Sequence, residues 1–273
     1  MNQQQKAEAF RALHQAPGLF VIPNPWDAGS ARLLQSLGFR ALTTTSAGLA
    51  WAIGKADGAA TREESLANAA AVVNAVDLPV AADLENGFGD RPEEAAETIR
   101  MAADVGLVGA SIEDWSRDQE RIYDLGLAVE RIAAAVEMVR SLGFPFQLVG
   151  RAENHVHGID DLDDTIRRLV AYERAGADVL FAPWLPSLEA IRTVCRAVAK
   201  PVNVVVGPSI LQHSLAELAE VGVKRVSVGG SFTRVAYAAV REAAEELLGP
   251  GTLSWGRELP PNAEFNALMR RGP

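Results

Sequence analysis

Acidic residues gather at the ends of short apolar runs. In Val80-Ala81-Ala82-Asp83-Leu84-Glu85-Asn86-Gly87-Phe88-Gly89-Asp90, the residues Asp83 and Glu85 stand two apart. An extended backbone would point both the same way. Ala110-Ser111-Ile112-Glu113-Asp114-Trp115 adds Glu113, and Val149-Gly150-Arg151-Ala152-Glu153-Asn154 adds Arg151. Close carboxylates repel one another or take up protons unless a cation joins them. Hard oxygen ligands of this kind suit Mg²⁺ or Mn²⁺, often held partly through water. The competing reading has Asp83 and Glu85 capping the next helix and Glu113 paired structurally with Arg151. Asp90 reads as a helix cap, and Asp114 has no assigned role.

Other polar groups could complete such a site. Thr43-Thr44-Thr45-Ser46-Ala47-Gly48 is a small, hydroxyl-rich stretch whose backbone N–H groups could hold an anion. Gly54-Lys55-Ala56-Asp57-Gly58 reads first as a turn, and is long enough to fold over a site mouth. His155 and His157 follow Arg151 and could titrate near neutral pH, or simply sit in solvent. Gly229-Gly230 before Ser231 and Arg234 could hold a carboxylate at a helix start. Trp26 and Trp184 either line a pocket or pack. For a base and a proton donor the candidates are Asp57, then Tyr123, then His155. The segment Asp114–Leu125 has no clear period and exceeds the usual βα loop. It reads as a gate, with Arg117 and Arg121 meeting substrate carboxylates, or else as a solvated charged loop.

What positions these groups is a repeat. Short β-branched runs (Leu19–Pro23, Ala41–Thr45, Val80–Asp83, Gly109–Glu113, Phe146–Arg151, Val179–Ala182, Val202–Val206, Arg225–Val228) alternate with Ala-rich amphipathic stretches. Those stretches predict helices over Asp27–Ser36, Arg62–Ala75, Pro92–Val105, Leu127–Ser141, Asp160–Ala175, Ser187–Val198, Ser209–Val221 and Phe232–Leu247. Several end in a glycine, as in Leu37-Gly38 and Ala175-Gly176, which suits a left-handed helix stop. Runs apolar on both sides are expected of parallel strands covered by helices. Eight βα units predict an α/β fold, a TIM (β/α)8 barrel, preceded by an extra N-terminal helix. An open doubly wound sheet is the rival, and no G-x-G-x-x-G turn follows the first strand. Residues 1–248 read as one domain. Residues 249–273 read as a Pro/Gly-rich tail resting on the barrel or on a partner subunit.

Composition narrows the partners. The 273 residues carry 26 Lys and Arg against 35 Asp and Glu, a net charge of −9. Such a field repels phosphate backbones, and no basic patch offsets it, so nucleic acid is not an expected partner. No apolar run is long enough to cross a membrane, and Met1–Ala16 lacks the apolar centre of a signal peptide. With 48% hydrophobic residues the chain can build a large core. The lone Cys195 cannot form an intrachain disulfide and fits a reducing cytoplasm.

Asp83-Leu84-Glu85-Asn86-Gly87-Phe88-Gly89, Ile112-Glu113-Asp114 and Arg151 together resemble the isocitrate lyase/phosphoenolpyruvate mutase superfamily, over about Phe20–Tyr237. The resemblance implies a Mg²⁺-dependent barrel acting on small 2-oxo, 2-hydroxy or enol acids. It implies that Asp83, Glu85 and Glu113 hold the metal, partly through water. Ser46 with the amides of Ala47 and Gly48 would bind the substrate carboxylate, Asp57 would be an active-site acid, and Arg151 would bind substrate oxygens. It also implies a homodimer or homotetramer that exchanges the last helix, Phe232–Leu247. The chain departs from the lyases where they carry Lys-(Lys/Arg)-Cys-Gly-His: its own stretch, Trp115–Asp124, has no Cys or His. Thr44 stands where those lyases have Tyr, Pro183 where an acid is common, and Asn203 only near the usual strand-seven Asn.

The expected function is a carbon–carbon lyase of the isocitrate or 2-methylisocitrate lyase type, working through a metal-stabilised enolate. The alternatives are phosphonopyruvate-type or oxaloacetate decarboxylase chemistry on the same platform, or a 2-oxo-acid-binding protein that has lost catalysis.

Overall fold

The computed structural model describes residues 1–270; positions 271–273 of the expected tail lie outside the described residues. The strands are β1 (Phe20–Ile22), β2 (Leu42–Thr43), β3 (Val80–Asp83), β4 (Gly109–Glu113), a hairpin of β5 (Trp115–Ser116) and β6 (Arg121–Ile122), then β7 (Gln147–Arg151), β8 (Val179–Phe181), β9 (Val202–Val205) and β10 (Arg225–Ser227). Outside the hairpin, eight strands form one parallel sheet in the order β1-β10-β9-β8-β7-β4-β3-β2. Its two edge strands meet at a seam. There the Thr43 N–H donates to the Pro23 carbonyl at 3.1 Å. Asn24 stitches the same seam: its Nδ2 donates to the Thr44 carbonyl, and its Oδ1 accepts from the Val228 and Gly229 N–H groups. The predicted TIM barrel is the observed fold.

The helices are α1 (Gln3–Gln15), α2 (Ala28–Ser36), α3 (Ser46–Ala52), α4 (Arg62–Ala75), α5 (Pro92–Asp104), α6 (Leu125–Ser141), α7 (Leu162–Ala175), α8 (Leu188–Ala197), α9 (Leu215–Glu220), α10 (Ser231–Leu248) and α11 (Asn262–Met269). Local chemistry sets many of their starts. Asp27, Thr61, Ser187 and Ser214 each accept a backbone N–H from the third helical residue. Gly176 closes α7 at φ +109°, where a side chain would be strained.

Three local expectations are corrected. The helix expected over Ser209–Val221 forms only at Leu215–Glu220, because Ser214 makes a capping box with Glu217 there. The stretch after β2 is not an open loop: Thr45 caps it and it winds into α3. Asp90 does not cap α5, since Arg91 occupies that position.

The extra N-terminal helix closes the barrel floor. Ala7 and Phe10 of α1 pack with Phe20, Ile22, Ala41, Ala81 and Val108. His14 is buried beside them. Its Nδ1 donates to the Phe10 carbonyl at 2.9 Å, and its Nε2 accepts from Arg225 Nη1 at 3.3 Å. An arginine can only donate, which fixes this tautomer. Burial, then the Arg225 charge, push the imidazole down to about 3. Since the unfolded chain protonates near 6.5, this neutral histidine stabilises the fold fully above that pH. The contribution is lost as pH falls from 6.5 towards 3, by about 1.4 kcal/mol per unit. Thermal midpoints should therefore fall steeply below pH 6.5 and less steeply in His14→Gln, a comparison that a pH series of melts would settle.

At the other end of the chain, α10 buries only Thr233 and leaves Val235, Val240 and Leu248 at 66%, 68% and 89% exposure. The tail then returns and α11 packs on α2, where an Arg32 guanidinium bonds the Met269 carbonyl. Cys195 lies half-buried on α8 against Gly222, and burial raises its thiol to about 11. No helix among the described residues is long and apolar enough to cross a membrane.

Candidate active site

The carboxyl ends of the strands surround a cavity of about 580 Å³, the end of a barrel where βα loops build sites. Arg151, the last residue of β7, is its organising cation. Its Nη1 lies 3.5 Å from Asp83 Oδ1 and 3.4 Å from Glu113 Oε2, and its Nε bonds Glu153. The guanidinium stacks over Phe181, 5.0 Å from the ring centroid. Burial opposes its charge, yet Glu153, Glu113 and Asp83 together raise its pKa above the ordinary range.

Asp83 and Glu85 do not share a strand face. The strand ends at Asp83, and Glu85 turns into the left-handed region at φ +49°. That conformation is uncommon outside glycine. The turn sends Glu85 to Arg117, with Nη1 2.9 Å from Oε2, while its Oε1 is buried with no hydrogen-bond partner. Burial lifts the Glu85 carboxyl to about 7, Arg117 resisting and Asp83 adding to the rise. Glu113 is also pushed well above its usual range, by burial first, with Arg151 opposing.

Ser46, Ala47 and Asp57 line the cavity with Asp83 and Arg151. The Ser46 hydroxyl donates to Asp83 Oδ2 at 3.0 Å. Gly48 does not offer its amide to an anion: that N–H donates to Thr45 Oγ1. A Cβ on Gly48 would come within 2.6 Å of Thr233 Oγ1 and Thr45 Cγ2, so the glycine is there for close packing. Asp57 lies at the accessible mouth. Partial withdrawal from water, then the Asp83 charge, raise its carboxyl. Arg234, Ser231 and Trp184 also line the cavity, whereas Trp26 packs against Gly48.

Two expected acid–base residues face elsewhere. Tyr123 is 2% exposed. Its hydroxyl donates to Asp90 at 2.6 Å and accepts from Asn86 at 2.9 Å. It is a strut under the hairpin, because Asp90 also accepts from Ser116 and Gln119. His155 is not on the cavity wall. The turn after β7 places its Nδ1 3.5 Å from Asp160, and burial lowers its pKa. His157 stacks on Trp115 with ring centroids 3.3 Å apart.

Asp114 is structural: it accepts from Tyr172, from Arg168 at 3.1 Å and from the Glu153 N–H at 2.8 Å. Sequence reasoning missed Glu153, the buried carboxylate that aims Arg151. It also missed Arg131, which is 1% exposed and bonds the carbonyls of Asn86, Gly89 and Arg91, shaping the turn after β3. Glu153 gave no signal beyond its place two residues after Arg151. Arg131 did give one, since it falls on the core face of α6 between Ala128 and Ala135.

The segment after β4 is the β5–β6 hairpin, pinned by Asp90. Arg117 is paired with Glu85 and lines a neighbouring pocket with Gly58 and Phe88, a Cβ on Gly58 lying 3.7 Å from its Nη2, whereas Arg121 is exposed and bonds Gln119. Arg117→Ala leaves the buried Glu85 carboxyl without its cation and is expected to raise KM about tenfold, roughly the worth of one charged contact. Arg121→Ala should stay within about twofold of wild type. Steady-state kinetics on the two variants would distinguish them.

Among the described residues no group of three His, Cys, Asp or Glu side chains closes into a metal cage. Mg²⁺ does not require one, since it usually keeps several waters and binds through one or two carboxylates. The orphaned Glu85 Oε1, beside Asp83 and Glu113, is a donor set such a cation fits.

A family profile of phosphoenolpyruvate phosphomutase matches residues 10–248. The 2-methylisocitrate lyase of Escherichia coli K12 is 28% identical over 204 residues, covering 71% of this chain and 68% of its own. A candidate lyase/mutase from Burkholderia cenocepacia J2315 has a crystal structure with TM-score 0.94 and 54% identity, covering 97% of this chain and 95% of its own. The crystal structure of 2,3-dimethylmalate lyase gives TM-score 0.86 at 30% identity, with 97% and 95% coverage.

Proposed function

The chain belongs to the phosphoenolpyruvate mutase family, within the PEP mutase/isocitrate lyase superfamily, and from that premise we propose that it is a Mg²⁺-dependent carbon–carbon lyase acting on a small 2-hydroxy acid. The observation that carries this reading is Arg151 at the cavity wall, ringed by Asp83, Glu113 and Glu153. Asp83, with Glu85 and Glu113 behind it, would hold the cation. When bound, the cation supplies positive charge that offsets the charge developing on substrate oxygens.

The chain's own groups do the rest. In the cleavage direction a 2-hydroxy acid loses its hydroxyl proton and the bond from C2 to C3 breaks. C2 becomes the carbonyl carbon of a 2-oxo acid, and C3 takes up a proton. Arg151 meets the negative charge that forms on the departing fragment. Ser46 and the Ala47 amide orient the carboxylate at C1. Asp57, its carboxyl raised and at the mouth, carries a proton between cavity and solvent.

The experiment is a panel of 2-methylisocitrate, isocitrate, 2,3-dimethylmalate, oxaloacetate and phosphonopyruvate, each with Mg²⁺ and each followed by appearance of product. Release of a 2-oxo acid from one of the hydroxy acids is the expected result. Oxalate or pyruvate binding with no turnover of any compound would mean a binding protein instead.

The same proposal has the enzyme working in the cytoplasm as a homodimer or homotetramer. What supports assembly is the exposure of the apolar side chains Val235, Val240 and Leu248 on α10. Light scattering on wild type and on Val235→Glu with Val240→Glu would test it.

A further inference from the structure

The inward residues of the barrel trace a diagonal line. Register pairs Glu113 with Arg151, Arg151 with Phe181, Phe181 with Asn203 and Asn203 with Arg225. Partners in register share a face, so all five point into the barrel. Strand tilt carries the line along the barrel axis. Arg151 ends its strand and Arg225 begins its own, so the line runs from the carboxylate rim to the opposite floor. A barrel of this kind is usually filled by bulky branched side chains. Here several inward positions are small, among them Ala81 and Ser111, and the cavity continues down to Asn203, Arg225 and Ser227.

Arg225 is 4% exposed. Its Nε donates to Asn203 Oδ1 at 2.8 Å and its Nη1 to His14 Nε2 at 3.3 Å. Both acceptors are neutral, and they use two of the five guanidinium N–H groups. Among the described residues no carboxylate forms an ion pair with it, and its chain neighbour Lys224 is another cation, spent on the Ala16 and Gly18 carbonyls. Burial alone pulls Arg225 down to about 9, with no counter-charge to resist. Beside it, Ser227 Oγ accepts from Asn203 Nδ2 at 3.1 Å, and its own proton has only a 3.4 Å contact with the Val204 carbonyl. A buried cation without a counter-ion is unfavourable, and an open chamber above it is where the counter-ion can enter.

We propose that Arg225 and the Ser227 hydroxyl hold a compact anion at the floor of the barrel, of the size of a halide, a nitrate or one carboxylate group. Asn203 positions both donors, and α1 closes the site from below. The ion comes from solution, or it is the far carboxylate of an acid whose other end sits at the rim. The site stands apart from the lyase reading, because the missing counter-charge exists whatever reaction the rim performs.

Anomalous diffraction from wild-type crystals soaked in sodium bromide is the direct test. A peak within hydrogen-bond reach of the Arg225 guanidinium is expected, and its absence at saturating bromide would overturn the proposal. In solution, the melting midpoint of wild type should rise saturably with bromide. Arg225→Met should show only the gradual change common to added salt, and Arg225→Lys should keep part of the saturable rise. Parallel curves for all three would also overturn the site. If Arg225→Met fails to fold, the bromide peak in wild type still decides. Repeating the soak with excess succinate, the magnesium supplied as magnesium bromide so that no second small anion competes, separates the sources. Loss of the peak identifies a substrate carboxylate, and its persistence identifies an ion from solution.

Discussion

Asp83→Ala should abolish Mg²⁺-dependent binding of oxalate or pyruvate and lower kcat/KM on the order of a thousandfold, while the barrel stays folded. Asp83 holds the end of β3 on the cavity wall, fixed by the Ser46 hydroxyl and by the Glu85 N–H. It is the carboxylate of the acidic group that lines the cavity, so its loss would remove the contact that the proposed cation and acid would share. The fold does not depend on it, since removing one of several crowded carboxylates relieves repulsion. Asp83 helps to push Glu85 up, so the variant's Glu85 should titrate lower than in wild type. Calorimetry with Mg²⁺, alongside a melting curve, checks both halves. Unchanged metal affinity in a folded variant would take Asp83 out of the site.

Arg151→Met should do two kinds of damage. Losing the cation on the cavity wall should lower kcat/KM by about 10²- to 10³-fold. It also leaves Asp83, Glu113 and Glu153 without their shared counter-charge, and breaking a buried pair of this sort typically costs about 3–5 kcal/mol. The two effects separate by pH. Glu113 is already raised by burial, with Arg151 as its main restraint, so removing Arg151 raises it further. A carboxyl whose folded pKa exceeds its unfolded value stabilises the fold below the unfolded pKa and loses that contribution as pH rises through the folded one. The variant should thus be closest to wild-type stability near about pH 5 and fall away towards about pH 8. Its activity should stay low at every pH. Arg151→Lys should recover much of the stability and less of the rate, because an ammonium keeps the charge without the planar fork. Equal stability of Arg151→Met and wild type at the alkaline end of that range would contradict the charge balance described for the rim.

The barrel itself was legible because its signals are local. Alternating apolar runs and capped amphipathic helices report parallel strands and their covers residue by residue. Arg62–Ala75 and Val80–Asp83 fall within their expected bounds for that reason. Side-chain type at a strand end also revealed Asp83, Glu113 and Arg151, since the ends of barrel strands face one rim whatever the loops do. Positions that depend on a turn were less legible. Glu85 lies two residues beyond Asp83, the last residue of β3, and its left-handed backbone directs it to Arg117. Alternation along a strand cannot anticipate that direction.

Residue type and local periodicity, which act over a few neighbours, were enough for the (β/α)8 architecture. They were enough also for the rim that carries Asp83, Glu113 and Arg151, and for the absence of a Cys-Gly-His loop. Packing in three dimensions had to settle that Tyr123 is tied to Asp90, that His155 faces away from the cavity, that the Gly48 amide is spent on a cap, and that Glu153 aims Arg151. It also brought Arg225 of the last barrel strand against His14 of the first helix, 211 positions apart in the chain. The direction of a side chain at a turn, and the meeting of groups far apart in sequence, depend on barrel closure and packing. Neither leaves a periodic trace in the chain.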